Sequence, residues 1–321
     1  MRFRPRLFVS IRGMPDHSSV PPIVQRVDNA PRGILMMLVA VFLFSILNVL
    51  VKVTAEDYPL TQVTFFRNAF ALLPVWATVM AQGGFGSIRT ARPMGHLWRS
   101  CVGLTSMTLM FWSFHLLPLA DAVALNFAAP LFLTALSVPL LSEQVGVHRW
   151  SAVAVGFVGV LIIVRPSPDM LNLGAIVALG AALAQSFAMI AIRQLSTSET
   201  ANSIVFYFTL TTTLLSALTL PFAWRTPDLW GFALLVATGL VGGTAQLFMT
   251  RAYTLAPAAV IAPFNYASIV WAALFGWTLW YEVPDLHVVA GAAVVVASGC
   301  YILHRETLKH RAVVSGAAGE D

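Results

Sequence analysis

The sequence predicts an all-α integral membrane protein, with ten transmembrane helices in two inverted five-helix repeats. Three observations carry that prediction. Hydrophobic residues make up 58% of the 321 residues and charged residues 10%, with a mean hydropathy of +0.79. A soluble domain carries about a quarter charged residues, so this chain could not cover a water-facing surface. The apolar residues fall into blocks of roughly 20, the length that crosses about 30 Å of hydrocarbon as a helix. Finally, Pro118, Ala120, Asn126, Ala128, Glu143 and His148 recur as Pro257, Ala259, Asn265, Ala267, Glu282 and His287 in one ungapped frame.

Residues 1–32 form a basic tail, with Arg2, Arg4, Arg6, Arg12, Arg26 and Arg32 interrupted by five prolines. Leu7-Phe8-Val9 is too short for a signal-peptide core. Met14 is a second candidate start. Ten apolar blocks follow: 33–54, 60–80, 97–117, 119–141 and 149–164, then 173–192, 203–222, 229–250, 256–280 and 287–303. A second tail covers 305–321. Glycine and proline inside these blocks are tolerated in lipid where neighbouring helices satisfy the backbone. Gly156, Gly159, Gly180 and Gly242-Gly243 are expected to let helices approach closely. Cys101 and Cys300 lie in apolar segments without a CxxC or His companion and read as packing residues.

The net charge of +5 follows membrane topology and gives no support for a nucleic-acid partner. With the N-terminus inside, fifteen Lys and Arg fall on inner segments, and only Lys52, Arg165 and Arg225 fall on outer ones. The outer ends carry Glu56, Asp57, Asp121, Asp169, Asp228, Glu282 and Asp285 instead. Both termini are therefore expected in the cytoplasm, with the chain in the cytoplasmic (inner) membrane.

The repeat extends to the first block of each half, where an offset of two further residues pairs Gly33 with Gly174, Ser45 with Ser186 and Lys52 with Arg193. In the third blocks Thr105 pairs with Thr244. Five spans per half is an odd number, so the second copy, 173–304, enters the bilayer upside down relative to the first, 33–165. Inverted repeats of this kind underlie the two access states of many secondary transporters.

The stretch Leu117-Pro118-Leu119-Ala120-Asp121-Ala122, followed by Pro130 and Glu143, has its echo in Leu255-Ala256-Pro257-Ala258-Ala259 through Glu282. With Phe65-Phe66-Arg67-Asn68 it resembles the EamA family of the drug/metabolite transporter superfamily, over about 33–305. The resemblance implies ten spans in two five-helix repeats and transport of a small organic metabolite by alternating access. It implies little about substrate. An amino acid or related zwitterion is the leading expectation. A planar vitamin or nucleoside-like compound such as riboflavin or S-adenosylmethionine is the alternative.

Arg67 lies about 10 Å into the second block at about 1.5 Å per residue. A charge at that depth is costly and normally faces a polar interior. It either holds a substrate carboxylate or phosphate, or biases the cavity against cations, or else caps backbone carbonyls or pairs with a gate carboxylate such as Asp121 or Glu56. Asn126 and Asn265, at matched positions near mid-depth, need hydrogen-bond partners, either each other's helix or the substrate. Trp112, Phe127, Phe264 and Tyr266 would suit a planar ligand by stacking. Ser45, Gln185, Ser186, Gln246 and His115 complete the candidate substrate-binding set. Asp121, Glu143 and Glu282 are candidate gate or helix-end residues. No Asp or Glu falls mid-span, which favours exchange or weakly coupled transport over a proton pump.

The first, third and fourth spans and their mates, the sixth, eighth and ninth, are expected to line one central cavity. No GxSxG, HExxH or Walker A motif occurs, so an intramembrane enzyme is disfavoured, and no catalytic residue, metal or cofactor is assigned. The loops are too short for a channel filter. The expected unit is a monomer in membrane lipid.

Overall fold

A computed structural model describes residues 29–141, 146–164, 173–255 and 261–317. Among the described residues the regular structure is entirely helical. The helices are α1 Ala30–Asp57, α2 Leu60–Ala81, α3 Pro93–Leu116, α4 Leu119–Asn126, α5 Ala129–Leu141 and α6 Val147–Val164. After these come α7 Leu173–Leu195, α8 Ala201–Ala217, α9 Leu229–Leu255, α10 Ala267–Trp280 and α11 Leu286–Ala317.

Proline sets several of the ends. Tyr58, before Pro59, and Leu117, before Pro118, are both extended. The ring of a proline clashes with a helical residue in front of it, so α1 and α3 stop there. Asn29 caps α1 by accepting the Arg32 N–H at 3.2 Å, with Pro31 in the first turn.

The expected span 119–141 is not one helix. Pro130 has no N–H to offer the Asn126 carbonyl, and its ring crowds that group. The chain unwinds at Phe127 and Ala128 and restarts as α5. In the second half a 3₁₀ turn, Ala262–Tyr266, precedes α10. Asn126 and Asn265 both sit at such irregular turns.

Six stretches are long and apolar enough to cross a membrane: Pro31–Asp57, Leu60–Ala81, Leu119–Leu140, Leu173–Leu195, Ala201–Phe222 and Leu229–Ala252. Trp150–Val164 and Leu286–Ile302 are shorter apolar helices. Large apolar side chains such as Leu73, Val155, Val158 and Leu161 lie on the exterior. That pattern fits a lipid-facing surface rather than a watery one.

The helices pack in definite pairs: α1 along α9, α3 along α7, α6 along α11, and α2 along both α8 and α9. Carbonyl oxygens set the α6–α11 distance: a Cβ on Gly159 would come within 2.8 Å of the Gly291 oxygen. Gly180 has only Leu109 nearby, at 3.6 Å, so the expected need for glycine does not hold there.

One end of the bundle, where α1 finishes, is laced together by polar contacts. Lys52 Nζ meets Glu282 Oε1 at 2.5 Å and lies over the Trp280 ring. Glu282 Oε2 accepts the Leu119 N–H at the start of α4, at 3.0 Å. Tyr281, the only non-glycine residue with positive φ among those described, turns the chain so that Glu282 faces this cluster. Beside it the Gln62 side chain bonds both the N–H and the carbonyl of Arg225. Arg225 in turn donates to the Asp57 carbonyl at 2.6 Å.

Candidate functional site

The interior cavity lies toward the opposite end, where α1 begins. It offers about 420 Å³ between α2, α3, α8, α9 and the end of α7. This falls in the lower part of the range for small-molecule sites, about 300–1,000 Å³. A smaller space of about 130 Å³ shares Val75, Val205 and Gln246 and continues to Gln82, Asn202 and Arg251.

Two arginines dominate the walls. Arg67 is enclosed in the bundle, and its accessible surface borders the cavity. Its Nη1 donates to Asn68 Oδ1 at 2.9 Å, and Asn68 is itself fixed by donating to the Thr64 carbonyl. Its Nε has no partner. Arg99 comes from α3, and its guanidinium carbon lies 4.1 Å from the centre of the Phe208 ring. Its Nε and Nη1 are likewise without a hydrogen-bond partner.

Glycine makes room for both groups. A Cβ on Gly103, one turn beyond Arg99 on α3, would overlap the Arg99 Nη1 and come within 2.7 Å of the Phe208 ring. A Cβ on Gly242 would lie 3.4 Å from Arg67 Nε. The register that pairs Thr105 with Thr244 also pairs Gly103 with Gly242.

The acidic residue at the cavity wall, Glu199, is already engaged. Its Oε1 accepts the Ala91 N–H and the Thr90 hydroxyl, each at 3.0 Å, and its Oε2 accepts the Ser203 hydroxyl at 3.3 Å. His96 Nε2 lies 3.4 Å from Oε2, at ion-pair distance but off hydrogen-bond geometry. Burial works to raise the Glu199 pKa. The Ala91 and Thr90 donors and His96 outweigh it and hold the carboxyl below its ordinary value. This cluster ties the segment before α3 to the α7–α8 connection.

The candidate residues from sequence divide. Arg67 and Gln246 line the cavity. Asn126, Phe127, Asn265 and Tyr266 do not; they gather where α4 ends and α10 begins, with the Phe127 and Tyr266 rings 4.7 Å apart. Phe264 packs against the apolar cluster around Met37 and Ile261. The Ser45 and Ser186 hydroxyls bond carbonyls of their own helices, Val41 and Leu183. Gln185 accepts from Ser106 at 3.2 Å. Trp112 and His115 are exposed and outside the cavity.

Asp121 is in the first turn of α4, and Glu282 is in the lacing at the other end. Glu143 lies outside the described residues. Of the expected walls, spans one, three, four, six, eight and nine, the third, sixth and eighth (α3, α7 and α9) line this cavity; α1, α4, α5 and α10 do not, and α2 and α8 take their place. Arg99, Phe208 and the His96–Glu199 pair were missed from sequence.

This cavity lined by two arginines lies inside an apolar helical bundle, and the proteins this chain is similar to are transporters. The chain is 34% identical over 285 residues to a pseudopaline exporter of Pseudomonas aeruginosa, covering 87% of this chain and 98% of that protein. It is 30% identical to a riboflavin transporter of Vibrio cholerae, over 87% of this chain and 95% of that one. It is 29% identical to an S-adenosylmethionine uptake transporter of Rickettsia prowazekii, over 85% and 93%. A solved crystal structure shares the fold, with a TM-score of 0.61 at 19% identity over 85% of this chain and 97% of that one. The EamA-like transporter family matches residues 31–165 and again 172–304, and the chain belongs to that family.

Proposed function

We propose that this multi-pass membrane protein is a secondary transporter that moves a small carboxylate-bearing metabolite across the cytoplasmic membrane by alternating access. An amino acid or related zwitterion is the leading substrate. The observation that carries the reading is Arg67, a guanidinium enclosed beside a cavity with no carboxylate partner among the described residues. Burying an unpaired cation is costly, and a substrate anion offsets that cost when it docks.

Ten spans in two inverted repeats, with both termini cytoplasmic, complete the proposal. Helix pairing supports it. The register relates the α1–α9 pair to the α7–α3 pair, and α2, α4 and α6 each pack on their own counterparts α8, α10 and α11. One asymmetry bears on access: α2 packs along α9 much more extensively than its counterpart α8 does along α3. The cavity lies on the looser side, bordered by α3 and α8, while the Lys52–Glu282 ion pair ties the opposite end together. This arrangement supports a state open toward the end where α1 begins.

The relatives named for riboflavin and S-adenosylmethionine keep a planar substrate as the second reading. The cavity favours the first, because its aromatic wall is Phe208 and Arg99 already covers that ring. The test is counterflow of labelled amino acids into proteoliposomes. Arg67→Ala is expected to abolish it at unchanged protein incorporation, and undiminished flux would reject the role of Arg67.

A further inference from the structure

Two arginines line this cavity, and no carboxylate among the described residues neutralises them. Arg67 has one neutral partner, Asn68 Oδ1. Arg99 lies over the face of Phe208, and its Nε and Nη1 have no hydrogen-bond partner among the described residues. Neither meets a carboxylate among the described residues. Glu199, at the same wall, spends its oxygens on Ala91, Thr90, Ser203 and His96. Like charges bordering one space repel, and each loses part of its hydration on burial. Gly103 leaves the space that seats Arg99, and Gly242 flanks Arg67 with no side chain.

A substrate with one carboxylate and one ammonium would satisfy one arginine and leave the other uncompensated. It would also add a positive charge to a cavity whose acidic side chain is committed elsewhere. A substrate with two carboxylates would meet both guanidiniums in the paired geometry that makes arginine a strong anion receptor. We infer that the Arg67–Arg99 cavity is a binding site for a compact organic dianion, a metabolite bearing two carboxylates. This inference rests on the transporter reading and its carboxylate-bearing substrate, and moves the preference within that class from a zwitterion to a dicarboxylate.

The experiment is isothermal titration of the purified full-length protein with four probes: glutarate, its monoamide, glutamine and glycerol 3-phosphate. Wild type is expected to bind glutarate about tenfold or more tighter than the monoamide, the loss expected for one charge-assisted contact. Glutamine is expected to bind no better than the monoamide. Arg99→Gln should erase the difference between glutarate and the monoamide while the weaker monocarboxylate binding through Arg67 persists. Arg99→Lys, which keeps the charge, should recover part of the preference and guards against a folding artefact.

Equal affinity for glutarate and the monoamide in wild type, with binding still dependent on Arg67, overturns the dianion inference and leaves the transporter reading intact. Tighter binding of glycerol 3-phosphate than of glutarate overturns the dicarboxylate class. Binding of no anion, with Arg67→Gln indistinguishable from wild type, removes the carboxylate reading itself.

Discussion

Lys52 and Glu282, 230 residues apart in the chain, form an ion pair of 2.5 Å that joins the end of α1 to the residues just beyond α10. The same carboxylate accepts the Leu119 N–H, so it also sits at the positive end of α4. Lys52 is almost fully buried and Glu282 is partly exposed. A double-mutant cycle with Lys52→Met and Glu282→Gln should therefore show a coupling of about 1–3 kcal/mol, above that of an exposed pair. Either single variant should also increase labelling of a cysteine placed at Leu60, because the closed end would open more often. Coupling near zero would mean that the pair does not hold that end.

The two glycines beside the arginines should respond differently to the same change. Gly103→Ala places a methyl group on Arg99 and the Phe208 ring, so Arg99 must move. Gly242→Ala meets Leu47 at 3.1 Å and Arg67 Nε at 3.4 Å, which small shifts relieve. Alanine is favoured over glycine in a helix by about 1 kcal/mol, so neither change should prevent folding. Substrate affinity should fall about tenfold or more in Gly103→Ala and by much less in Gly242→Ala. Titration of both variants checks the order.

Glu199 makes stability at the cavity end dependent on pH in a definite direction. Its carboxyl is held below the ordinary value in the folded state. Its contribution is therefore complete above the unfolded-state pKa and is lost as pH falls through the folded one. Thermal melts from pH 7 down to pH 3 should show an acid loss of stability that is reduced in Glu199→Gln. The variant should also melt lower than wild type at pH 7. Parallel acid profiles would mean that Glu199 contributes nothing through its charge.

Phe127 and Tyr266 occupy corresponding positions in the sequence register and touch, with ring centres 4.7 Å apart. Phe127→Leu keeps most of the volume and removes the ring contact. The expected cost is about 0.5–1.5 kcal/mol, read from chemical unfolding in detergent.

Much of the helical framework was legible because lipid leaves few choices. The blocks that begin at 60 and 119 start where the structure begins α2 and α4, and Arg67 stood out as a charge inside an apolar run. The break after Asn126 had a signal, Pro130, that hydropathy alone overrides: the run from 119 to 141 stays apolar through it. Arg99 was read as an inner-end charge because its Cα lies near the start of its helix. Its long side chain reaches the cavity instead, and the spacing Arg99-x-x-x-Gly103 was the available clue. Nothing local could pair His96 with Glu199 or set Arg99 over Phe208. Those contacts exist only once α3 and α8 are side by side.

The most direct test of the central claim is ligand-induced thermal stabilisation of the purified protein, comparing wild type with Arg67→Ala. The panel holds amino acids, dicarboxylates, flavins, nucleosides and S-adenosylmethionine. A ligand that binds only the folded state raises the melting temperature by mass action. The account predicts a shift with a carboxylate-bearing compound that disappears in Arg67→Ala. A shift that survives the substitution, or one confined to ligands without an anionic group, would contradict it.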